Sequence, residues 1–188
     1  PMAVACGRET PLAGDYTFPG GWRIAADTLM STGMEMPEGK NLVSGESAVE
    51  LLGSIIQASP DKVTLLALGP LTNLAELFQA EPSMKDKIET VTIMGGAVYV
   101  SGNLGPEFGN NKVAESNIYM DPKAANIVFA SGVPLTLVPL DATNQVPITP
   151  GFYRRLEASQ LTPEARWLYD LFTKEQGYFQ SSFYFFWD

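Results

Sequence analysis

Lys62-Val63-Thr64-Leu65-Leu66-Ala67-Leu68, followed by Gly69-Pro70-Leu71-Thr72-Asn73, is the stretch of sequence that decides the fold. Its apolar run is continuous rather than alternating, which predicts a fully buried strand of a parallel sheet covered on both faces. The Gly-Pro pair then ends the strand, and the residues from Leu74 predict a short helix that stops by Pro82.

The same alternation of strand and helix occurs on both sides of this stretch. Apolar residues at helical spacing predict a helix from Ala48 to Ile56, and residues 1–6 predict a buried strand, with mostly loop over 7–44. Further strands are predicted over 88–94 and 135–140. Proline-initiated helices are predicted from Asp121-Pro122 to Gly132, from Thr149-Pro150, and from Thr162-Pro163 towards Phe186. This order predicts an α/β fold, a parallel (Rossmann-like) sheet with helices on both faces, as a single domain over 1–188.

The amino-acid composition and net charge argue against several classes of function. The 188 residues are 45% hydrophobic and carry a net charge of −9, which argues against nucleic-acid or anionic-membrane partners. No apolar run reaches membrane-spanning length. The single cysteine, Cys6, forms no internal disulfide. Because the chain contains no histidine, Ser-His-Asp catalysis and histidine metal sites are excluded within it, and any metal would be a hard cation held by oxygen.

Polar residues follow the predicted strands at their carboxyl ends, where ligands bind in open α/β sheets. They occur in the turns 69–73, 94–117 and 141–145. The longest of these carries amide and carboxylate groups suited to a polyhydroxyl ligand: Asn103, Asn110, Asn111, Glu115 and Asn117. A long surface loop rich in turn-forming residues is the alternative interpretation. Since loops of this length in compact domains are often functional, we favour a binding site.

Six motifs in order resemble those of the inosine–uridine-preferring nucleoside hydrolases, calcium-dependent enzymes that cleave ribonucleosides into base and ribose. They are Leu68-Gly69-Pro70-Leu71-Thr72-Asn73, Met94-Gly95-Gly96-Ala97, Gly102-Asn103, Ala114-Glu115-Ser116-Asn117, Asp121-Pro122-Lys123-Ala124-Ala125 and Asp141-Ala142-Thr143-Asn144. The resemblance covers nearly the whole chain and implies the nucleoside hydrolase fold.

The resemblance implies roles for individual residues. Met94 would line the ribose pocket, Asn103 and Glu115 would bind the end of the ribose that carries the 5′-hydroxyl, and Asn117 would reach the 2′,3′-diol. The backbone carbonyl of Leu68 and the carboxylate of Asp188 would be Ca²⁺ ligands. Ser116 stands where the family commonly has phenylalanine, which puts the local packing of its neighbours in question. The resemblance also implies a cytoplasmic homo-oligomer, a dimer or tetramer.

Two tryptophans suggest the purine-preferring branch of the family. Trp187 stands where the uridine-tolerant branch usually has histidine, and Trp22 lies in Phe18-Pro19-Gly20-Gly21-Trp22-Arg23, which resembles a base-contacting loop. A purine sandwiched between both rings would be protonated through solvent. The alternative is that each ring only packs in the core.

The aspartate-rich amino-terminal motif of the family, which supplies the catalytic base, does not occur in this chain. We therefore expect an internal fragment, incomplete at both ends, with no catalytic residue of its own because the base lies before Pro1, and inactive alone. One alternative is a nucleoside- or ribose-binding module without catalysis. A dinucleotide-dependent oxidoreductase is weakly supported, because no Gly-x-Gly-x-x-Gly follows a strand.

Overall fold

The computed structural model describes residues 2–35, 43–174 and 184–187. In chain order the helices are α1 (Gly20–Asp27), α2 (Ala48–Ala58), α3 (Thr72–Ala80), α4 (Ser116–Met120), α5 (Pro122–Phe129), α6 (Leu140–Thr143), α7 (Pro150–Ala158) and α8 (Pro163–Lys174). The strands are β1 (Val63–Ala67), β2 (Ile88–Met94) and β3 (Leu135–Val138). None of the helices in the described ranges has the length and apolar character that a membrane crossing requires.

The strands form one parallel sheet in the order β1-β2-β3. Each parallel connection passes through a helix, as parallel pairing requires. The α/β architecture predicted from the sequence is therefore confirmed. The chain divides into two compact units, one built mainly from Pro1–Thr17 and Glu38–Asp141 and the other from Phe18–Pro37 and Ala142–Trp187. The assignment of a single domain stays a prediction.

The sheet lies in the first unit, where helices α2, α3 and α5 pack against the central strand. Ile56, Leu77 and Val128 from these helices join Val91 and Ile93 of β2 in one core, each no more than 1% exposed. Local signals place two of the helices. Ser47 and Glu50 form a reciprocal capping box at the start of α2, and Asp121 caps α5 ahead of its first-turn proline.

The expectation that β1 is fully buried is wrong. Its residues alternate between partly buried and exposed, and Leu66 is 66% exposed while its neighbour Leu65 packs on the core. Successive side chains of a strand point to opposite faces, so the second face of β1 is uncovered within the described residues. A continuous apolar run predicts the strand but does not predict which elements cover its two faces.

The amino-terminal segment also differs from its prediction. Residues 2–6 form no buried strand, since only Val4 makes an isolated parallel bridge, to Val43, and Met2 is 75% exposed. The region expected to be mostly loop contains α1, which opens on two glycines and has no side-chain cap. β3 ends at Val138, two residues earlier than predicted, because Leu140 already begins α6.

The second unit is aromatic. The ring of Phe152 on α7 lies edge-on to Phe172 of α8 at 5.3 Å and to Phe186 at 4.8 Å between ring centroids. The helix predicted to extend towards Phe186 does not do so over 184–187, where Phe185 instead makes an antiparallel bridge to Pro147. Residues 175–183 of that predicted helix lie outside the described residues.

Candidate functional site

The carboxyl ends of β1 and β2 lie side by side in the first unit. Ala67 is paired with Ile93, and Met94 at the end of β2 is paired with Val138 of β3. Leu68 directly follows β1. This edge is where the sequence predicts a ligand, so the side chains that reach it decide what can bind.

Asn117, in the first turn of α4, connects both strand ends through its amide nitrogen. Nδ2 donates to the carbonyl oxygen of Met94 at 3.2 Å and more weakly to that of Leu68 at 3.4 Å, and it also approaches the Met94 sulfur at 3.4 Å. All of these neighbours are acceptors, which assigns the nitrogen to this side of the amide. The opposite end, Oδ1, has no partner among the described residues and can accept a hydrogen bond from a ligand.

The carboxylate of Glu115 is 2% exposed and binds backbone donors on both sides. Oε1 accepts from Asn117 N at 2.8 Å, and Oε2 accepts from Gly96 N at 2.9 Å and Ile118 N at 3.0 Å. Glu115 therefore fastens the turn after β2 to the start of α4. A carboxylate has about four acceptor positions, and the donors of the described residues fill three of them.

Asn103 supplies the remaining hydrogen bonds at this helix start. Its Oδ1 accepts from the backbone nitrogen of Ser116 at 2.9 Å and from the Ser116 hydroxyl at 3.0 Å. A backbone N–H can only donate, so the atom that faces it is the amide oxygen. Asn103 Nδ2 has no partner among the described residues, which makes it a free donor.

These contacts account for the first N–H groups of α4, which have no partner inside the helix. Asn103 caps Ser116, while Glu115 caps Asn117 and Ile118. The side chains predicted to bind a ligand thus also hold a five-residue helix in place. Each of the two asparagine amides, Asn103 and Asn117, supports the fold with one polar atom, and its other polar atom has no partner in the described part of the chain.

Two glycines allow the backbone to approach this closely. Gly96 adopts φ +84°, a left-handed conformation that side chains disfavour. At Gly102 a Cβ would collide with the backbone of Ala114, because Gly102 N donates to Lys112 O at 2.7 Å and Asn103 N donates to Ala114 O at 3.2 Å. Only glycine lets these two segments run side by side and hold Asn103 in position.

Asp141, just after β3, holds the segment that follows Gly96. Its carboxylate accepts from Val98 N at 2.9 Å and from Tyr99 N at 2.8 Å. The backbone N–H of Val98 stabilises the ionised form most strongly and lowers the pKa of Asp141 below its ordinary value. The sequence placed Asp141 in a polar turn but gave no sign of this contact, which depends on a neighbour about 40 residues earlier.

Met94 and Leu68 lie at the carboxyl ends of β2 and β1, where the sequence predicts a ligand. Met94 is 4% exposed, and the side chain that approaches the Leu68 carbonyl among the described residues is that of Asn117, at 3.4 Å. Asp188 lies outside the described residues. Calcium takes about six to eight oxygen ligands, yet no group of three acidic, histidine or cysteine side chains in the described part of the chain could hold a metal. The Leu68 carbonyl could serve as one ligand, but the described residues do not make a calcium site, and the metal roles stay predictions.

The predicted base-contacting tryptophans both belong to the second unit. Trp22 on α1 is 40% exposed, and its ring centroid lies 6.1 Å from that of Phe18. Trp187 lies edge-on to Tyr184 at 5.4 Å, and its indole Nε1 is buried without a hydrogen-bond partner among the described residues. Their role towards a base stays a prediction.

Comparison with known proteins gives a consistent family assignment. The model of the inosine-uridine preferring nucleoside hydrolase family matches residues 1–185. The chain is 40% identical to the pyrimidine-specific ribonucleoside hydrolase RihA of Shewanella oneidensis over 160 residues, 84% of this chain and 46% of that protein. It is 37% identical to the probable uridine nucleosidase 2 of Oryza sativa subsp. japonica, over 79% of this chain and 42% of that protein.

A solved structure gives the same fold. The purine-preferring ribonucleoside hydrolase from Gardnerella vaginalis superposes with a TM-score of 0.75 at 28% identity, covering 92% of this chain and 53% of that one. The chain therefore spans about half the length of the proteins it matches.

Proposed function

The chain belongs to the inosine-uridine preferring nucleoside hydrolase family, and from this premise we propose that it supplies the ribose-binding side of an enzyme that hydrolyses the N-glycosidic bond of ribonucleosides to base and ribose. The proposal is carried by two side-chain amides, those of Asn103 and Asn117. Each bonds to the described residues through one polar atom and has no partner there for the other. Asn103 offers a donor and Asn117 an acceptor, and the buried Glu115 carboxylate bonds to the backbone N–H of Asn117.

This set of groups suits a sugar, because each ribose hydroxyl both donates and accepts. A hydroxyl that receives the Asn103 N–H can donate to a neighbouring acceptor, and Asn117 Oδ1 and the Glu115 carboxylate are acceptors. When a hydroxyl is missing from the ligand, the buried Glu115 carboxylate and the partly buried amides of Asn103 and Asn117 lose their partner, and rejection of such an analogue is strong. The residues thus recognise and orient the sugar.

We also propose Ca²⁺ as the cofactor, with the Leu68 carbonyl among its ligands and Asp188 as a further one. A bound hard cation would supply positive charge that grips hydroxyl oxygens and acidifies water. No step is assigned to the described residues through this ion, since they do not make its site.

The similar proteins and the two tryptophans point to different base preferences. The names of the two sequence relatives favour a pyrimidine nucleoside, whereas the structural relative is named for purines. Trp22 and Trp187 are the residues that favour a purine, on their sequence context alone. Purine preference is therefore our proposal for the tryptophans, with uridine hydrolysis as the competing candidate.

A binding protein without catalysis is the second candidate function. It is favoured by the lack of a cluster of acidic side chains among the described residues. Such a protein would bind ribonucleosides through the same amides and release no sugar. The homo-oligomer and the cytoplasmic location are likewise proposals that the family membership suggests.

Release of reducing sugar from inosine and from uridine, by the full-length protein with and without a chelator, tests these proposals. We expect ribose release that the chelator abolishes and added calcium restores. Faster turnover of inosine supports the purine proposal, and equal or faster turnover of uridine refutes it. Binding of ribonucleosides with no release under any condition would leave the binding protein as the function.

A further inference from the structure

We propose that Ser116 is a positioning residue that sets the orientation of the Asn103 amide and thereby presents its N–H to the ligand. This inference rests on the proposed function, because the ligand it concerns is the ribose. Ser116 itself is not proposed to touch the sugar.

The Ser116 residue makes two hydrogen bonds to one atom. Its backbone nitrogen lies 2.9 Å and its hydroxyl 3.0 Å from Asn103 Oδ1. An amide oxygen has two lone pairs, so this pair of donors saturates it. Rotation of the amide by half a turn would set Nδ2 against the Ser116 N–H, donor facing donor. The Ser116 hydroxyl therefore adds a second hydrogen bond to the one that the Ser116 backbone N–H, at the start of α4, already donates.

The rest of Asn103 is fixed independently of Ser116. Its backbone nitrogen donates to Ala114 O at 3.2 Å, and the preceding Gly102 has no room for a side chain beside Ala114. The main remaining freedom is rotation of the side chain. Since Nδ2 has no partner among the described residues, nothing on that side competes with a ligand for it. A contact that fixes the rotation of the Asn103 side chain therefore also fixes where its Nδ2–H donor points.

A hydroxyl contributes one neutral hydrogen bond here, which sets the size of the effect. Removal of a neutral hydrogen bond corresponds to roughly a two- to tenfold change in an equilibrium constant. The hydrogen bond from the Ser116 backbone N–H to Asn103 Oδ1 stays in every variant. Loss of the hydroxyl therefore removes one of the two bonds to the amide oxygen and does not destroy the site. The effect should appear only for ligands that use the Asn103 donor.

The test compares Ser116→Ala with Ser116→Thr, which keeps a hydroxyl, in the full-length protein. Ser101→Ala is the matched control, because Ser101 is exposed and has no side-chain hydrogen bond among the described contacts. Each variant is assayed with the ribonucleoside that the unmodified protein hydrolyses faster and with its 5′-deoxy analogue. Binding of ribose and of 5-deoxyribose by calorimetry gives a second readout that does not need turnover.

We expect Ser116→Ala to lower kcat/KM for the ribonucleoside, and affinity for ribose, by roughly two- to tenfold. The values for the deoxy analogues should stay unchanged, Ser116→Thr should restore the unmodified values, and Ser101→Ala should match the unmodified protein. An equal loss with both ligands, or no loss with either, overturns the role of Ser116 while leaving the function intact. An unmodified protein that neither binds ribose nor hydrolyses a ribonucleoside refutes the function, and this inference with it.

Discussion

Replacement of Glu115 by glutamine tests whether this carboxylate holds the fold through its three bonds to backbone N–H groups. The amide oxygen can take the place of Oε2 and keep the bonds from Gly96 N and Ile118 N. The amide nitrogen must then face the Asn117 N–H that Oε1 accepted at 2.8 Å. The opposite orientation would lose two bonds instead of one. Glu115→Gln therefore replaces a charge-assisted bond by two donors that face each other.

The magnitude follows from these contacts. Loss of a hydrogen bond to a charged group contributes about 1.5–3 kcal/mol, and an unpaired buried donor costs about 1–3 kcal/mol more. Because Glu115 is 2% exposed, water cannot take over the lost partner. We expect the free energy of unfolding to fall by about 3–5 kcal/mol.

Urea unfolding followed by far-ultraviolet circular dichroism is the appropriate assay. Tryptophan fluorescence is unsuitable, because Trp22, Trp167 and Trp187 all belong to the second unit. With a slope of about 2 kcal/mol per molar urea, the midpoint should fall by roughly 1.5–2.5 M. The control is Glu89→Gln, an exposed residue of β2 with no side-chain bond among the described contacts. A midpoint for Glu115→Gln equal to that of the control would show that the Glu115 carboxylate does not hold the fold through these bonds.

Three other substitutions test the frame around the site. Asp121 is 1% exposed and accepts from Leu12 N, Thr72 Oγ1 and Ala124 N at 2.8–2.9 Å, so Asp121→Ala should lower the free energy of unfolding in urea by about 2–4 kcal/mol. Gly102→Ala should abolish ribose binding in calorimetry, because the new Cβ would meet the Ala114 backbone; unchanged affinity would contradict this. The pKa of Asp141 is lowered in the folded state. The ionised carboxylate therefore stabilises the fold above the ordinary carboxyl pKa of about 4, and this stabilisation is lost as the pH falls through the lower folded-state pKa. Below about pH 4, the thermal midpoint should therefore fall more steeply in the unmodified protein than in Asp141→Asn. Parallel curves of midpoint against pH would show that the contact contributes nothing.

Elements with local signals could be predicted from the sequence. The apolar run after Lys62 gave β1, helical spacing gave α2, and the Asp121-Pro122 pair gave the start of α5, where the capping bond to Ala124 N is present. Each of these signals lies within a few residues of the element that it forms, which is why propensity and capping arguments suffice.

The remaining features depend on contacts between distant residues. The five-residue helix α4 is capped in part by Asn103, which is 13 residues earlier, so no local pattern announces it. α1 opens on two glycines without a capping side chain, and the exposure of Leu66 depends on which elements cover β1. The polar chemistry of Asn103, Glu115 and Asn117 was visible in the sequence, but the bonds by which these side chains support the fold were not.

The most direct test of the account is Asn103→Asp in the full-length protein, with ribose release and the thermal midpoint measured on the same sample. Aspartate keeps the acceptor for Ser116, and its negative charge suits a helix start, but it lacks the Nδ2 donor. We expect an unchanged or raised thermal midpoint together with about a tenfold or greater loss of kcat/KM. Asn126→Asp, which makes the same charge change at an exposed residue of α5 with no side-chain bond among the described contacts, should leave kcat/KM unchanged. Full activity in Asn103→Asp, or a loss of activity matched by a fall in the midpoint, would contradict the claim that Asn103 supports the fold with one end of its amide and binds the sugar with the other.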